Sequence, residues 1–158
     1  MFTDISKCCC FTGHRELPKN ELSHIRDELD FEIEKLYTLN GVTTFISGGA
    51  IGFDMLAAET VIMAKRRHSD IRLVFALPCA DHSKSWSSAD AAKLRILMIY
   101  ADEVVTLSDT YQRGCMHTRN RFMLDNSLYL ISYCRKNSGG TYYTLSRAKS
   151  QNKIITEL

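Results

Sequence analysis

A glycine pair at the end of a strand lets a ligand approach the backbone closely and leaves amide groups free to bind an anion. The chain has two such pairs, in Ser47-Gly48-Gly49-Ala50-Ile51-Gly52-Phe53-Asp54 and in Ser138-Gly139-Gly140-Thr141. Thr12-Gly13-His14-Arg15 adds a third turn, with an arginine whose planar guanidinium matches phosphate or carboxylate oxygens. Neither pair is a GxGxxG fingerprint or a Walker loop, because no Lys-Ser or Lys-Thr follows, so ATP hydrolysis by the P-loop route has no support.

Other side chains could join these turns. Arg119, Asn120 and Arg121 lie near the start of a predicted helix, where consecutive residues point roughly 100° apart, so one or two of them can face a pocket. Trp86 is the only tryptophan, and in a polar loop with Asp81, His82 and Lys84 it can stack on a base or close the edge of the core. Cys79 and His82 have CxxH spacing but no further ligands nearby in sequence. With no CxxC pair among six cysteines, no metal site and no cofactor are assigned, and the thiols read as buried and reduced.

All three turns fall where a strand is predicted to end. Short apolar or β-branched runs at 8–12, 43–47, 71–76, 103–107, 128–133 and 154–155 predict strands. Apolar residues spaced by three and four (Leu22, Ile25, Leu29, Ile33, Leu36) predict a helix after Pro18, and further helices are expected at 54–65, 87–101, 118–126 and 140–150. Strict alternation of strand and helix predicts an α/β, Rossmann-like three-layer sandwich with a mostly parallel sheet and helices on both faces, its ligands beyond the carboxyl ends of the strands. One domain spanning 1–158 is expected, because no linker or repeat interrupts the pattern.

The bulk properties exclude several classes. Hydrophobic residues at 45% and charged residues at 24% suit a globular protein rather than a disordered one. The formal charge of +2, from 20 basic and 18 acidic side chains, gives no field that would call for a nucleic-acid partner. No apolar run reaches the roughly 20 residues of a membrane span, and residues 1–7 lack a signal-peptide core, so a cytoplasmic protein is expected. A homodimer is the base-rate expectation for its assembly.

Cys10–Pro18 (CFTGHRELP), Ser47–Glu59 (SGGAIGFDMLAAE), Trp86, Arg119–Asp125 (RNRFMLD) and Gly139–Thr144 (GGTYYT) together resemble the SLOG superfamily, most closely its YpsA-like branch, over nearly the whole chain. The resemblance implies that the glycine turns and the TGHR loop line a site for a nucleotide-derived ligand. Two related groups imply different activities. Lonely-guy phosphoribohydrolases cleave an N-glycosidic bond with an arginine, in a stretch similar to Arg119–Met123, and a glutamate after a PGGxGT loop; here that loop is followed by no glutamate. DprA-like proteins, with a similar glycine turn, bind single-stranded DNA.

The expectation is therefore a protein that binds or senses a phosphate-containing nucleotide or nucleotide sugar, with Gly13, His14, Arg15, Ser47, Gly48, Gly49, Gly52, Asp54, Trp86, Arg119, Asn120, Ser138, Gly139, Gly140 and Thr141 as candidate site residues. N-glycoside hydrolysis is the first alternative, and its missing carboxylate would come from Asp54, Glu59, Asp81 or Asp125; no catalytic residue is assigned. Single-stranded nucleic-acid binding is the second alternative.

Overall fold

The computed structural model describes residues 4–158. Six parallel strands form one sheet in the order β4-β3-β2-β1-β5-β6: β1 (Cys8–Gly13), β2 (Thr44–Ser47), β3 (Arg72–Leu77), β4 (Glu103–Thr106), β5 (Tyr129–Tyr133) and β6 (Ile154–Glu157). The connections carry α1 (Leu22–Asn40), α2 (Phe53–Arg67), α3 (Ser88–Ile99), α4 (Cys115–Asp125) and α5 (Gly140–Ser150). Beginning at β1, the chain adds strands outward to β4, then returns to the other side of β1 to lay down β5 and β6. Strand order therefore reverses between β1 and β5, where parallel α/β sheets open a crevice at their carboxyl edge.

The two-residue period of a strand divides the core into two layers. Cys9, Phe11, Phe45, Leu73, Phe75 and Ile131 face α1, α2 and α3. Cys10, Ile46, Val74, Ala76 and Leu130 face α4 and α5 through Met123, Leu124, Leu145 and Ala148. The consecutive cysteines thus send their thiols to opposite faces, as the alternation predicts. In α1 the buried stripe is Ile25, Leu29, Ile33 and Leu36, and the helix ends at Gly41, whose φ of 68° allows its amide to reach Leu36 O. Four such side chains, at about 1.5–3 kcal/mol each, are what hold this long helix to the sheet.

The expected strands and helices all form, with ends displaced by one or two residues in most cases. The largest displacement is at α4, which begins at Cys115 rather than at residue 118. Gly114, at φ 82°, starts this helix through backbone geometry with no side-chain cap, which leaves no capping residue to read in the sequence.

Candidate functional site

A cavity of about 590 Å³ lies at the β1/β5 reversal. The end of β1 and the loop after it supply Thr12 through Glu16, and β5 and its exit supply Tyr133, Arg135 and Lys136. Ser138, Gly139, Gly140 and Thr141 come from the start of α5, while Ala50 and Asp54 come from the β2–α2 turn. One face of α4 adds Met116, Arg119, Asn120 and Met123, the i, i+3, i+4, i+7 set of a single helical stripe. Arg121 is exposed and donates to Thr118 Oγ1 at 3.4 Å instead. The volume is that of a small-molecule site.

An aromatic floor underlies the cavity. Phe53 stacks on Tyr133 with centroids 6.0 Å apart and meets Phe11 edge-on at 6.5 Å. Gly13 is required above it, since a Cβ there would sit 2.3 Å from the Phe53 ring. Phe53 N donates to His14 O at 3.0 Å, so the TGHR loop lies directly on the β2–α2 turn. Gly52, at φ 85°, permits this: a Cβ would meet Arg15 O at 2.3 Å.

Arg119 and Asp54 form the buried polar centre, each about 5% exposed. Arg119 donates through Nη1 to Gly48 O and through Nε to Asn120 Oδ1 at 2.8 Å. Asp54 Oδ2 accepts from Ala50 N at 3.3 Å. Burial pushes the Asp54 carboxyl above its ordinary value, opposed by the Arg119 charge, the Ala50 amide and Arg15. Burial also lowers the Arg119 pKa, opposed chiefly by Asp54; a guanidinium remains charged at such a site. Gly48 makes room for both groups, as a Cβ would lie 2.6 Å from Arg119 Nη1 and from Asp54 Oδ2.

The two glycine turns are used differently. In the β2–α2 turn the donors point inward: Gly49 N to Ser47 Oγ at 3.2 Å, and Ala50 N to Asp54. Ser47 Oγ in turn donates to Asp54 O at 2.9 Å. Ser47, Gly48, Gly49 and Gly52 lie behind the cavity wall and do not line it, although the sequence suggested that their amides face a ligand. Their glycines serve close packing.

At α5 the donors are open. Gly139, at φ 94°, begins the helix with no side-chain cap and no acidic residue in the first turn. The first return bond runs from Tyr143 N to Gly139 O at 2.9 Å, so the amides of Gly140, Thr141 and Tyr142 precede the helical ladder. Gly139 and Gly140 are exposed, with nothing within 4 Å of an added Cβ. Anions are favoured at such a helix end.

Cations surround the same opening. Arg15 and Lys136 are exposed at its rim. The Arg135 guanidinium lies 4.3 Å above the Tyr133 ring and donates to Leu158 O at 2.6 Å. His14 Nε2 accepts from Arg135 N at 2.7 Å, which puts the imidazole proton on Nδ1 and ties the β1 exit to the β5 exit. Burial, with Lys136 and Arg135 adding to it, lowers the His14 pKa and keeps the ring neutral. Arg135 and Lys136 were not singled out from sequence, although two basic residues between a strand and a Ser-Gly-Gly turn are a signal for a phosphate rim.

Of the four carboxylates considered as catalysts, Asp54 alone lines the cavity. Glu59 pairs with Lys93 at 2.6 Å and with Arg26 at 3.8 Å, and Asp125 is exposed at the end of α4. Asp81 belongs with Trp86 to a neighbouring hollow. Trp86 is half-buried, rests against the core and meets His82 edge-on at 4.8 Å. Among the described residues no helix is long and apolar enough to cross a membrane.

A model of the YspA SLOG family matches residues 9–156. Over 137 residues the chain is 27% identical to the uncharacterised SPbeta prophage-derived protein YoqJ of Bacillus subtilis, covering 79% of this chain and 80% of that protein. It is 28% identical over 116 residues to a UPF0398 protein of Halalkalibacterium halodurans, covering 72% of this chain but 61% of the relative. Among solved structures, DNA processing protein A of Helicobacter pylori, described with a single-stranded DNA binding mode, superimposes with a TM-score of 0.67 at 17% identity. That superposition takes in 97% of this chain and 65% of the other, so the chain spans less than two thirds of either longer protein.

Proposed function

The chain belongs to the YspA SLOG family, and from that premise we propose that its β1/β5 cavity binds a phosphate-bearing nucleotide or nucleotide sugar. The supporting observation is that the uncapped start of α5 opens onto the same cavity as Arg15, Lys136 and the buried Arg119. Three amides at a positive helix end, with cations on both sides, form a phosphate site of ordinary chemistry. The phosphate lies against Gly140 and Thr141 with Arg15 across from it, and the sugar it is attached to lies in the cavity above the Phe53–Tyr133 floor.

Calorimetric titration with nucleoside monophosphates, ADP-ribose and NAD tests this. Arg15→Ala should weaken the best ligand by about 1.5–3 kcal/mol, roughly 10- to 150-fold, through loss of a charge-assisted contact. The fold should be unaffected by circular dichroism, since an exposed loop arginine adds little to the core. Failure of the parent to bind any of these compounds, or an Arg15→Ala protein that binds as well as the parent, refutes the proposal. If a short single-stranded oligonucleotide binds where mononucleotides do not, the site belongs to nucleic acid.

A second reading has one observation in its favour: Asp54 is a buried carboxyl in the cavity wall whose proton affinity is raised by burial. Such a group can protonate a leaving base while water adds to C1′ of the ribose, giving free base and ribose 5-phosphate. Chromatography of nucleotide incubated with the parent and with Asp54→Asn checks it. Base release by the parent and not by the variant makes the protein a hydrolase; no release leaves binding alone.

A further inference from the structure

A second hollow of about 620 Å³ adjoins the cavity, between the connections at 78–87 and 107–114. Arg15 and Met116 line both spaces, so the two meet at those side chains. The rest of the wall includes Asp81, His82, Trp86 and Tyr111. Trp86 is half-buried and Tyr111 is 65% exposed, which leaves aromatic surface available to a planar guest.

Two buried polar atoms in this wall have no partner among the described residues: Asp81 Oδ1 and His82 Nδ1. Both are acceptors. His82 Nε2 lies 3.2 Å from Gly49 O, and a carbonyl can only accept, so Nε2 carries the proton. The ring, 8% exposed and close to the charges of Arg119 and Arg15, has its pKa pushed down to about 4, chiefly by burial, and is neutral near pH 7. Nδ1 is then a bare lone pair. Buried acceptors without donors are rare in folded proteins and call for an N–H from something else.

We propose that this hollow takes the base of a nucleotide whose phosphate occupies the start of α5, and that the base carries an exocyclic amino group, as adenine, guanine and cytosine do. The inference rests on the phosphate site argued above. Trp86 supplies the stacking surface, Asp81 and His82 accept from the two N–H bonds of the amino group or, in guanine, from the amino group and the ring N1–H, and Arg15 stands where the two spaces meet, beside the sugar and phosphate. An apolar ring with polar edges fits a hollow with an aromatic wall and two acceptors.

Trp86 is the only tryptophan in the chain, so its emission reports the hollow directly. The parent is titrated with AMP, GMP, CMP, IMP, UMP and ribose 5-phosphate, followed by tryptophan fluorescence and calorimetry. At least one amino-bearing nucleotide should quench Trp86 and bind about tenfold tighter than ribose 5-phosphate, with IMP and UMP weaker. Trp86→Ala should lower affinity for that nucleotide roughly 5- to 150-fold while ribose 5-phosphate binds as before, and Trp86→Phe should recover much of the loss. Equal affinity for the nucleotides and ribose 5-phosphate without quenching, or a Trp86→Ala protein with an unchanged ratio, overturns the base site alone. Absence of binding by ribose 5-phosphate and by every nucleotide overturns the phosphate site and the base site together.

Discussion

The different uses of the two glycine turns can be separated with one substitution in each. At Gly49 the backbone has a φ of 66°, and an added Cβ would lie 2.7 Å from Leu77 Cδ2, 3.3 Å from Phe75 Cδ1 and 3.4 Å from Leu94 Cδ1. Holding alanine in the left-handed region costs about 1–2 kcal/mol, and crowding a filled core adds about 1–3 kcal/mol. Leu77 Cδ2 is the far end of a flexible side chain and can yield, so Gly49→Ala should lose about 2–4 kcal/mol. At roughly 2–4 °C per kcal/mol for a chain of this size, Tm should fall by about 4–16 °C. Gly140 has no positive φ and no atom within 4 Å of an added Cβ, so Gly140→Val should stay within about 1 kcal/mol of the parent yet lose phosphate-ligand binding. Urea denaturation and scanning calorimetry measure stability, and isothermal titration measures binding. A Gly49→Ala protein as stable as the parent would refute the packing role of that turn. A Gly140→Val protein that binds normally would remove the start of α5 from the site.

Two further outcomes can be checked without a ligand. His82 has its pKa pushed down from 6.5 to about 4 by burial, with Arg119 and Arg15 adding to it. The unfolded chain therefore binds more protons between these values, and stability is full above about pH 6.5 and falls as pH drops toward 4, by about 3 kcal/mol from this residue. In urea titrations from pH 7 to pH 4, the stability gap between the parent and His82→Asn should narrow by that amount; parallel curves would contradict the burial of a neutral ring. Five of the six thiols are buried, and Cys134 is half-buried. A colorimetric thiol reagent should modify one cysteine rapidly in the native protein and six in denaturant, while fast reaction of two or more native thiols would contradict the core assignment.

Much of the fold was legible because each local signal was consistent with the others. Thr43 to Ser47 is β-branched and aromatic, and the stripe from Ile25 to Leu36 repeats at three and four, so residue type marked the strand and period marked the helix. The start of α4 was not legible. Its N-terminal residue is fixed by Gly114 at φ 82°, and a glycine followed by Cys-Met-His carries no capping side chain. The consequence extends to the site, because beginning at Cys115 puts Arg119 and Asn120 in the second turn, on the stripe shared with Met116 and Met123.

The convergence of Gly13, the β2–α2 turn and the α5 turn at one edge followed from parallel strands alone, but which amides remain free did not. That depends on partners brought in by folding: Ser47 Oγ accepts from Gly49 N and Asp54 Oδ2 from Ala50 N, while Arg119, 71 residues away, donates to Gly48 O. One part of the distinction is nevertheless written locally. Asp54 stands in the first turn of α2, so that helix carries its own anion at its positive end, whereas the first turn of α5 holds no acidic residue. A free phosphate at α2 would meet a buried carboxylate whose charge is already opposed by Arg119, and would have to displace bonds made within the turn. At α5 it would meet unclaimed amides with Arg15 and Lys136 at the rim. Of two similar glycine turns, the one lacking a carboxylate in the following helical turn is the one that should select an external anion.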